Sequence, residues 1–400
     1  MSVFNDVVLA PDDPILGLVE KFKQDPREDK INLTIGIYAD ENGKVPVLNV
    51  VKKAQAALFA EEKPHIYLPM HGLQTYNLSV QRLLFQEHHS VIAENRLATV
   101  QTLGGTGALK VGADFLSQLF KDKLPTVHVS DPTWDNHKAI FKGAGFTVKA
   151  YPYFDEATGG VNFEAMVDYC KTLPKNDILI LHACCHNPTG ADLNEAQWTA
   201  LTQLIKEKEL IPFLDMAYQG FAKGVEEDAK AIHIMTNAGL PVLIANSFSK
   251  SFSLYGERVG ALSVVTTSSD EQVRVTSQLK KMVRANYSSP PAFGAAIVGH
   301  VLSNPTLRQE WFDELSEMRQ RIHAMREKFV ALLNQGQTKK DFSFIKAQQG
   351  MFSYSGLTKA QAEKLRSEEG LYILDTGRIC IAALNEYNIT LAAHAIIKVL

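Results

Sequence analysis

Through the middle of this chain, short apolar runs alternate with stretches of helical spacing, and that alternation limits the possible folds more than any other feature. Residues 127–129, 147–150, 178–183, 212–214, 242–245 and 260–265 read as buried strands, with helical patterns at 107–120, 163–172 and 195–207. Such alternation predicts an α/β domain built on a mainly parallel sheet flanked by helices. In sheets of this kind the functional groups gather beyond the carboxyl ends of the strands. The last quarter differs. A helical pattern starts near Pro305 and runs through the charged stretch 310–328. After 342–354 come a helix near 359–368, a strand around 379–382 and a final helix from Thr390. This predicts a second, smaller α+β domain, its boundary in the long helix.

With 400 residues, 46% of them hydrophobic, the chain holds material for two or three domains at roughly 100–200 residues each. A net charge of -3 lacks the basic footprint of a nucleic-acid binder. The four cysteines, Cys170, Cys184, Cys185 and Cys380, form no Cys-x-x-Cys pair and no disulfide framework, which suits a reducing cytoplasm. Residues 1–14 lack the basic start and long apolar stretch of a signal peptide. No apolar run approaches the ~18–20 residues that span a bilayer. No metal-ligand set is expected.

Four segments carry candidate chemistry. In Ala245-Asn246-Ser247-Phe248-Ser249-Lys250-Ser251-Phe252-Ser253-Leu254-Tyr255-Gly256-Glu257-Arg258, a lysine stands among hydroxyls just past a buried strand. Its amine is nucleophilic only when neutral, and partial burial beside another cation lowers the ordinary pKa of about 10.4 far enough for Schiff-base formation. Ser247, Ser249 and Arg258 are then candidates to hold a phosphate. Taken alone, the stretch reads first as a solvated loop with incidental serines. In Ile211-Pro212-Phe213-Leu214-Asp215-Met216-Ala217-Tyr218, an acid ends an apolar run, where burial demands a positive partner. A protonated cofactor ring nitrogen is one such partner for Asp215, with Tyr218 placed for the ring oxygen; an N-cap role for Asp215 is the alternative. His186-Asn187-Pro188-Thr189-Gly190 is first a turn, and second a place where the Asn187 amide meets a ring oxygen and a substrate carboxylate. An Asn-Pro bond here is a candidate for the cis form. Leu103-Gly104-Gly105-Thr106-Gly107, leading into a helix, has the character of a phosphate cradle, with Gly105 and Thr106 nearest the anion, but matches no Walker or Gly-x-Gly-x-x-Gly pattern. In chain order the four supply a phosphate cradle, a ring-oxygen donor, a ring-nitrogen acid and a Schiff-base lysine.

With these segments in place, the sequence resembles the class I aminotransferases of pyridoxal-phosphate fold type I, more closely the bacterial aspartate and aromatic-amino-acid aminotransferases. The likeness runs from Asp13-Pro14-Ile15-Leu16-Gly17 to Gly377-Arg378-Ile379. It includes Gly36-Ile37-Tyr38, Val45-Pro46-Val47, Tyr67-Leu68-Pro69, Asp131-Pro132-Thr133-Trp134-Asp135-Asn136-His137 and Arg284-Ala285-Asn286-Tyr287-Ser288-Ser289-Pro290-Pro291. The resemblance implies that Lys250 carries pyridoxal 5'-phosphate and moves the substrate proton in a ping-pong transamination. It implies that Trp134 stacks on the cofactor, where a plain core tryptophan is the default. His137 braces Asp215, unless it is simply a satisfied core histidine. Arg378 binds the α-carboxylate with Asn187, Trp134 and the Gly36 backbone. It further implies a homodimer with shared sites, the partner subunit lending Tyr67 and Arg284. The chain then divides into an arm at 1–10, a large domain at 44–315, and a small domain from 11–43 and 316–400.

Arg284 is expected to read a distal carboxylate, as glutamate and 2-oxoglutarate require. Around it, Ile37, Ala39, Val45, Ile66 and Ser289 are small or apolar apart from the serine. A phenyl ring gains about 25 cal/mol per Å² buried, and unpaired polar groups oppose its entry. Tyrosine and phenylalanine are therefore expected as donors with aspartate as a further substrate; aspartate preference is the alternative. A pyridoxal-phosphate-binding regulator would need a DNA-binding module, for which the chain has no basic patch. Lyase or decarboxylase chemistry would be expected to change Arg284 or Arg378, and both are present.

Overall fold

A computed structural model describes residues 2–10, 15–62, 64–87, 89–336 and 340–400. Met1 and residues 11–14, including Asp13 and Pro14 of the N-terminal motif, lie outside the described residues. Seven strands form the central sheet: β1 (Leu97–Leu103), β2 (Val127–Asp131), β3 (Val148–Pro152), β4 (Ile178–His182), β5 (Ile211–Met216), β6 (Val242–Ser247) and β7 (Val259–Val265). Their order is β1-β7-β6-β5-β4-β2-β3, all parallel except β7, which runs against both its neighbours.

Alternate strand residues serve two cores, as a period of two requires when both sheet faces are covered. Val127, Val129, Ile178, Ile180, Phe213 and Leu243 pack into one core with helices α1 (Gly104–Leu119), α2 (Asp135–Gly143) and α3 (Ser269–Asn286). Leu179, Leu181, Leu214, Met216, Val242 and Ile244 enter the other, shared with α4 (Pro305–Gln335). Trp311 on α4 is fully buried against Phe252 and donates its indole N–H to Ser251 O at 2.7 Å.

Strand β1 escapes the apolar-run criterion because Thr99, Gln101 and Thr102 interrupt it, yet all three are buried. Their polar atoms are satisfied locally: Thr99 Oγ1 meets Ser263 Oγ of β7 at 2.9 Å, and Gln101 donates to Pro291 O at 2.6 Å. The helix expected at 107–120 begins at Gly104, so Gly104–Gly107 are its first turn and not a loop before it. The expected strand at 379–382 is Arg378–Cys380 followed by a 3-10 turn, Ile381–Ala383. It pairs with Phe352–Tyr354, while Ile31–Asn32 pairs with Leu371–Tyr372, so the early segment 31–39 packs with the C-terminal quarter. Among the described residues, no helix is long and apolar enough to cross a membrane.

Candidate active site

The carboxyl ends of β1, β2, β4, β5 and β6 all open on the same side, because these five strands are mutually parallel. The residues just past those ends are the ones singled out above. They border a cavity of about 510 Å³ lined by Gly105, Thr106, Trp134, Asn187, Asp215, Tyr218, Ser247, Ser249, Lys250, Arg258 and Arg378, with Gly36 and Ile37 from the early segment. A second cleft, about 630 Å³, shares Trp134, Asn187 and Arg378 as a common wall.

Asp215 is the fifth residue of β5 and pairs across the sheet with His182 and Ala245. It is buried within a strand, so the N-cap alternative falls. Its Oδ2 lies 3.0 Å from His137 Nε2, and His137 Nδ1 lies 2.8 Å from Thr133 Oγ1. Nε2–H donating to the carboxylate while Nδ1 accepts from the threonine satisfies both ring nitrogens. Burial alone would raise the Asp215 carboxyl, but the hydrogen bond from His137 and the nearby Lys250 amine hold it below the ordinary value. His137 thus braces the acid; it is not an idle core histidine.

The Asn187 turn is built from below. Asp192 accepts Cys185 N–H at 2.7 Å and His186 N–H at 2.8 Å. The His186 ring is fixed between Ser130 Oγ and Thr189 Oγ1, both at 2.8 Å, and stacks on Tyr153 with centroids 4.0 Å apart. Asn187-Pro188 is cis, as is Asp131-Pro132. Asn187 then faces two partners, donating to Tyr218 Oη at 3.5 Å and accepting from Arg378 Nη1 at 3.1 Å. Arg378 also donates to Thr34 O, and its guanidinium carbon sits 4.2 Å from the Phe352 ring centroid. Its Nε is buried without a hydrogen-bond partner. No carboxylate pairs this buried cation within the chain, among the described residues.

On the other side of the cavity, Arg258 has φ +54°, an uncommon conformation for a side-chain-bearing residue that costs on the order of 1–3 kcal/mol. This bend lets Arg258 O accept Gly104 N–H at 2.9 Å while its guanidinium turns back to donate to Ser249 Oγ at 3.2 Å. A Cβ on Gly104, itself at φ +68°, would lie 2.6 Å from Arg258 Nη2. Arg258, Ser247, Ser249 and the first turn of α1 therefore face one another with donors inward, and three N–H groups of that first turn lack helical partners.

Lys250 Nζ lies between these two halves, 4.7 Å from the Tyr218 ring centroid. Burial lowers the amine to about 8; Asp215 works against that shift, and Arg258 and Arg378 add to it. At pH 7 about one such amine in ten is neutral, against about three in ten thousand at the ordinary value. An acylating reagent should therefore modify Lys250 in the cofactor-free protein at a rate that climbs with a midpoint near pH 8, followed by peptide mass spectrometry. A midpoint near 10.5 would refute the shift.

Not every expected residue comes to the cavity. Tyr67 is 94% exposed and Arg284 is exposed, its guanidinium bonded locally to Ser288 Oγ. Of the five wall residues near Arg284, Ile37 lines the cavity. Val45 and Ile66 are exposed, Ser289 is half-buried, and Ala39 is buried with its N–H on Ala382 O. Conversely, Tyr255, Phe352, His182 and Ile35 line the cavity without having been singled out. Tyr255 lay inside the Lys250 stretch, unassigned; Phe352 carried no signal beyond an ordinary apolar position.

Residues 28–396 match the family described as aminotransferase class I and II. The chain is 52% identical to the aromatic-amino-acid aminotransferase of Escherichia coli (strain K12) and 50% identical to the aspartate aminotransferase of Pseudomonas aeruginosa, each over 100% of both chains. A crystal structure of the aromatic-amino-acid aminotransferase from Burkholderia pseudomallei, covalently bound to pyridoxal phosphate, superposes with a TM-score of 0.97 at 53% identity, covering 100% of each chain.

Proposed function

The chain belongs to the class I and II aminotransferases, and on that premise we propose that it transfers amino groups from tyrosine, phenylalanine and aspartate to 2-oxoglutarate, with pyridoxal phosphate held at Lys250. One observation carries this reading: a single cavity joins a lysine amine lowered to about 8, a carboxylate kept ionised by His137, and a buried arginine with an unpartnered Nε.

The residues fit the cofactor. Gly105 leaves little room for a larger residue, since a Cβ there would lie 3.1 Å from Ser247 Cβ, and the hydroxyls of Ser247, Ser249 and Thr106 and the Arg258 guanidinium, all lining the cavity, suit a phosphate ester. Asp215 suits a protonated ring nitrogen, Tyr218 and Asn187 suit a ring oxygen, and Trp134 offers a flat face. When bound, pyridoxal phosphate supplies a carbonyl that condenses with amines and a protonated ring that draws electrons from the substrate Cα. The chain supplies the rest. Arg378 and Asn187, with the Gly36 backbone, hold the α-carboxylate and so fix which Cα bond faces Lys250. Lys250 Nζ would take the proton from Cα and deliver it across the nitrogen to the carbon that was the cofactor's carbonyl, which requires the neutral amine that its lowered pKa provides.

Arg284 and Tyr67 stand exposed on this chain, as do the apolar arm residues Val3, Phe4, Val8 and Leu9. A homodimer whose partner receives Tyr67 and Arg284 at its own cavity accounts for all of them, and sedimentation equilibrium tests it. In that arrangement Arg284→Leu lowers kcat/KM for aspartate and glutamate by about thirtyfold or more, and for phenylalanine by far less, because only the former present a second carboxylate. Equal losses would remove Arg284 from the reading. Four buried free cysteines suit a reducing cytoplasm.

Aspartate as the preferred donor is the second reading, favoured by the 50% identity to an aspartate aminotransferase. Competing kcat/KM measurements on Tyr, Phe and Asp decide between them. An aspartate preference above about a hundredfold over both aromatics, about 2.7 kcal/mol of transition-state discrimination, overturns the first.

A further inference from the structure

Ile35, Gly36 and Ile37 line the same cavity as Lys250. The segment that carries them is fastened to the C-terminal quarter by backbone bonds: Cys380 N–H donates to Leu33 O at 3.0 Å, and Ala39 N–H donates to Ala382 O at 3.1 Å. Toward the lysine the fastening is of another kind. Tyr38 N–H donates to Tyr255 Oη at 2.9 Å.

Tyr255 belongs to the loop that follows Lys250, lines the same cavity, and lends its carbonyl to Arg258 Nη1 at 3.0 Å. Tyr38 has little freedom to follow a moving partner. Its ring is buried and lies 5.4 Å from the Arg321 guanidinium, which is itself tied to Glu41 at 2.5 Å and to Leu384 O at 2.8 Å. Neither Gly36 nor Ile37 has a side chain able to hydrogen-bond the lysine loop. The distance between the covering segment and Lys250 is thus set one residue away, through the Tyr38 N–H.

We infer that Tyr255 is a positioning residue: its hydroxyl, by accepting the Tyr38 N–H, sets the height of Gly36 and Ile37 above Lys250 and so the fit of the amino-acid substrate. The inference rests on the proposed roles of Lys250 and Gly36 and adds the element that spaces them. Burial raises the Tyr255 phenol above its ordinary value, so the hydroxyl stays neutral throughout the assay range. Without it the half-buried Tyr38 N–H loses its acceptor and the substrate must order the segment on binding. One net hydrogen bond is worth about two- to tenfold.

The test is Tyr255→Phe in the cofactor-loaded enzyme, which keeps the ring and removes the acceptor. Hydrogen–deuterium exchange without substrate should quicken at the Tyr38 amide by about two- to tenfold, with peptides from β4, β5 and β6 unchanged. KM for phenylalanine and aspartate should rise by the same factor while kcat and cofactor retention hold. Tyr38→Phe, which keeps the donating N–H, serves as control and should exchange at Tyr38's position like the parent. Unchanged exchange at Tyr38 in Tyr255→Phe overturns the inference. So does faster exchange across the whole sheet, or a fall in kcat at constant KM, either of which makes Tyr255 an ordinary core or chemical-step residue. Failure of the Lys250 reading is a separate event: it appears as turnover in Lys250→Ala and leaves the Tyr38 exchange result where it stands.

Discussion

Lys250→Ala loses turnover while the fold and the cofactor cup remain. Proton transfer by a placed side chain contributes about 10²–10⁴-fold, and in the proposed function this lysine is also the attachment point, so kcat should fall by at least that range. Stability should change little, because among the described residues the Lys250 amine makes no salt bridge or hydrogen bond that braces the surrounding shell, and the Ser253 N–H bond to the Lys250 carbonyl survives the substitution. Asp215 keeps its bond to His137 at 3.0 Å, and Arg258 keeps Ser249 at 3.2 Å. Removing an amine that burial already disfavours in its charged form costs the fold no ion pair. Lys250→Arg sharpens the test. It restores the positive charge beside Asp215 but, with a pKa above about 12, offers no neutral nitrogen. If charge were the function, Arg would rescue; if a neutral amine is the function, Arg is as inactive as Ala. Steady-state kinetics, equilibrium dialysis of the cofactor and thermal melts distinguish these results. Turnover near the parent level in either variant refutes the assignment.

How much of this site was readable before the fold follows from where each residue sits. Lys250, Asp215 and Asn187 stand just beyond apolar runs, and a parallel sheet turns that one-dimensional position into a shared rim. Continuous apolar runs made β4, β5 and β6 visible, whereas β1 was hidden because Thr99, Gln101 and Thr102 break its run with buried polar groups that are paired, as Thr99 is with Ser263. The glycines at 104–107 were recognised as a cradle yet placed in a loop, since nothing local says that a helix can start at the last residue of a strand. Tyr255 and Phe352 were missed for a different reason. Tyr255 meets Tyr38 only when residues 31–39 pack with the C-terminal quarter, and Phe352 meets Arg378 only through the pairing of 352–354 with 378–380. Long-range packing of that kind leaves no period in the sequence. Tyr67 and Arg284 mark a further limit: both are exposed on this chain, and the roles proposed for them rest on a second copy that a single chain does not contain.

Arg378→Lys should lower kcat/KM for every amino acid and oxo acid, aromatic and dicarboxylic alike, by about thirtyfold or more. The parent guanidinium meets three demands at once. Nη1 reaches Asn187 Oδ1, Nη2 reaches Thr34 O, and the plane lies over the Phe352 ring, leaving Nε buried and unpartnered. In the proposed function the substrate carboxylate supplies that atom with an acceptor, which is favourable because a buried N–H without a partner is disfavoured. A lysine has one ammonium on a flexible stem and cannot hold Asn187, Thr34 and a carboxylate in a fixed fork. Charge is therefore conserved and geometry lost. The loss should be mainly in KM for the α-carboxylate, and cofactor retention should stay at the parent level because Arg258 and Asp215 are untouched. Set beside Arg284→Leu, the variant separates the two arginines by substrate: one loss is common to all amino acids, the other confined to those with a second carboxylate. Phenylalanine is the informative substrate, since it carries a single carboxylate and a ring. If Arg378→Lys spares phenylalanine and penalises aspartate, Arg378 reads the side chain, and the orientation proposed for the substrate over Lys250 is reversed.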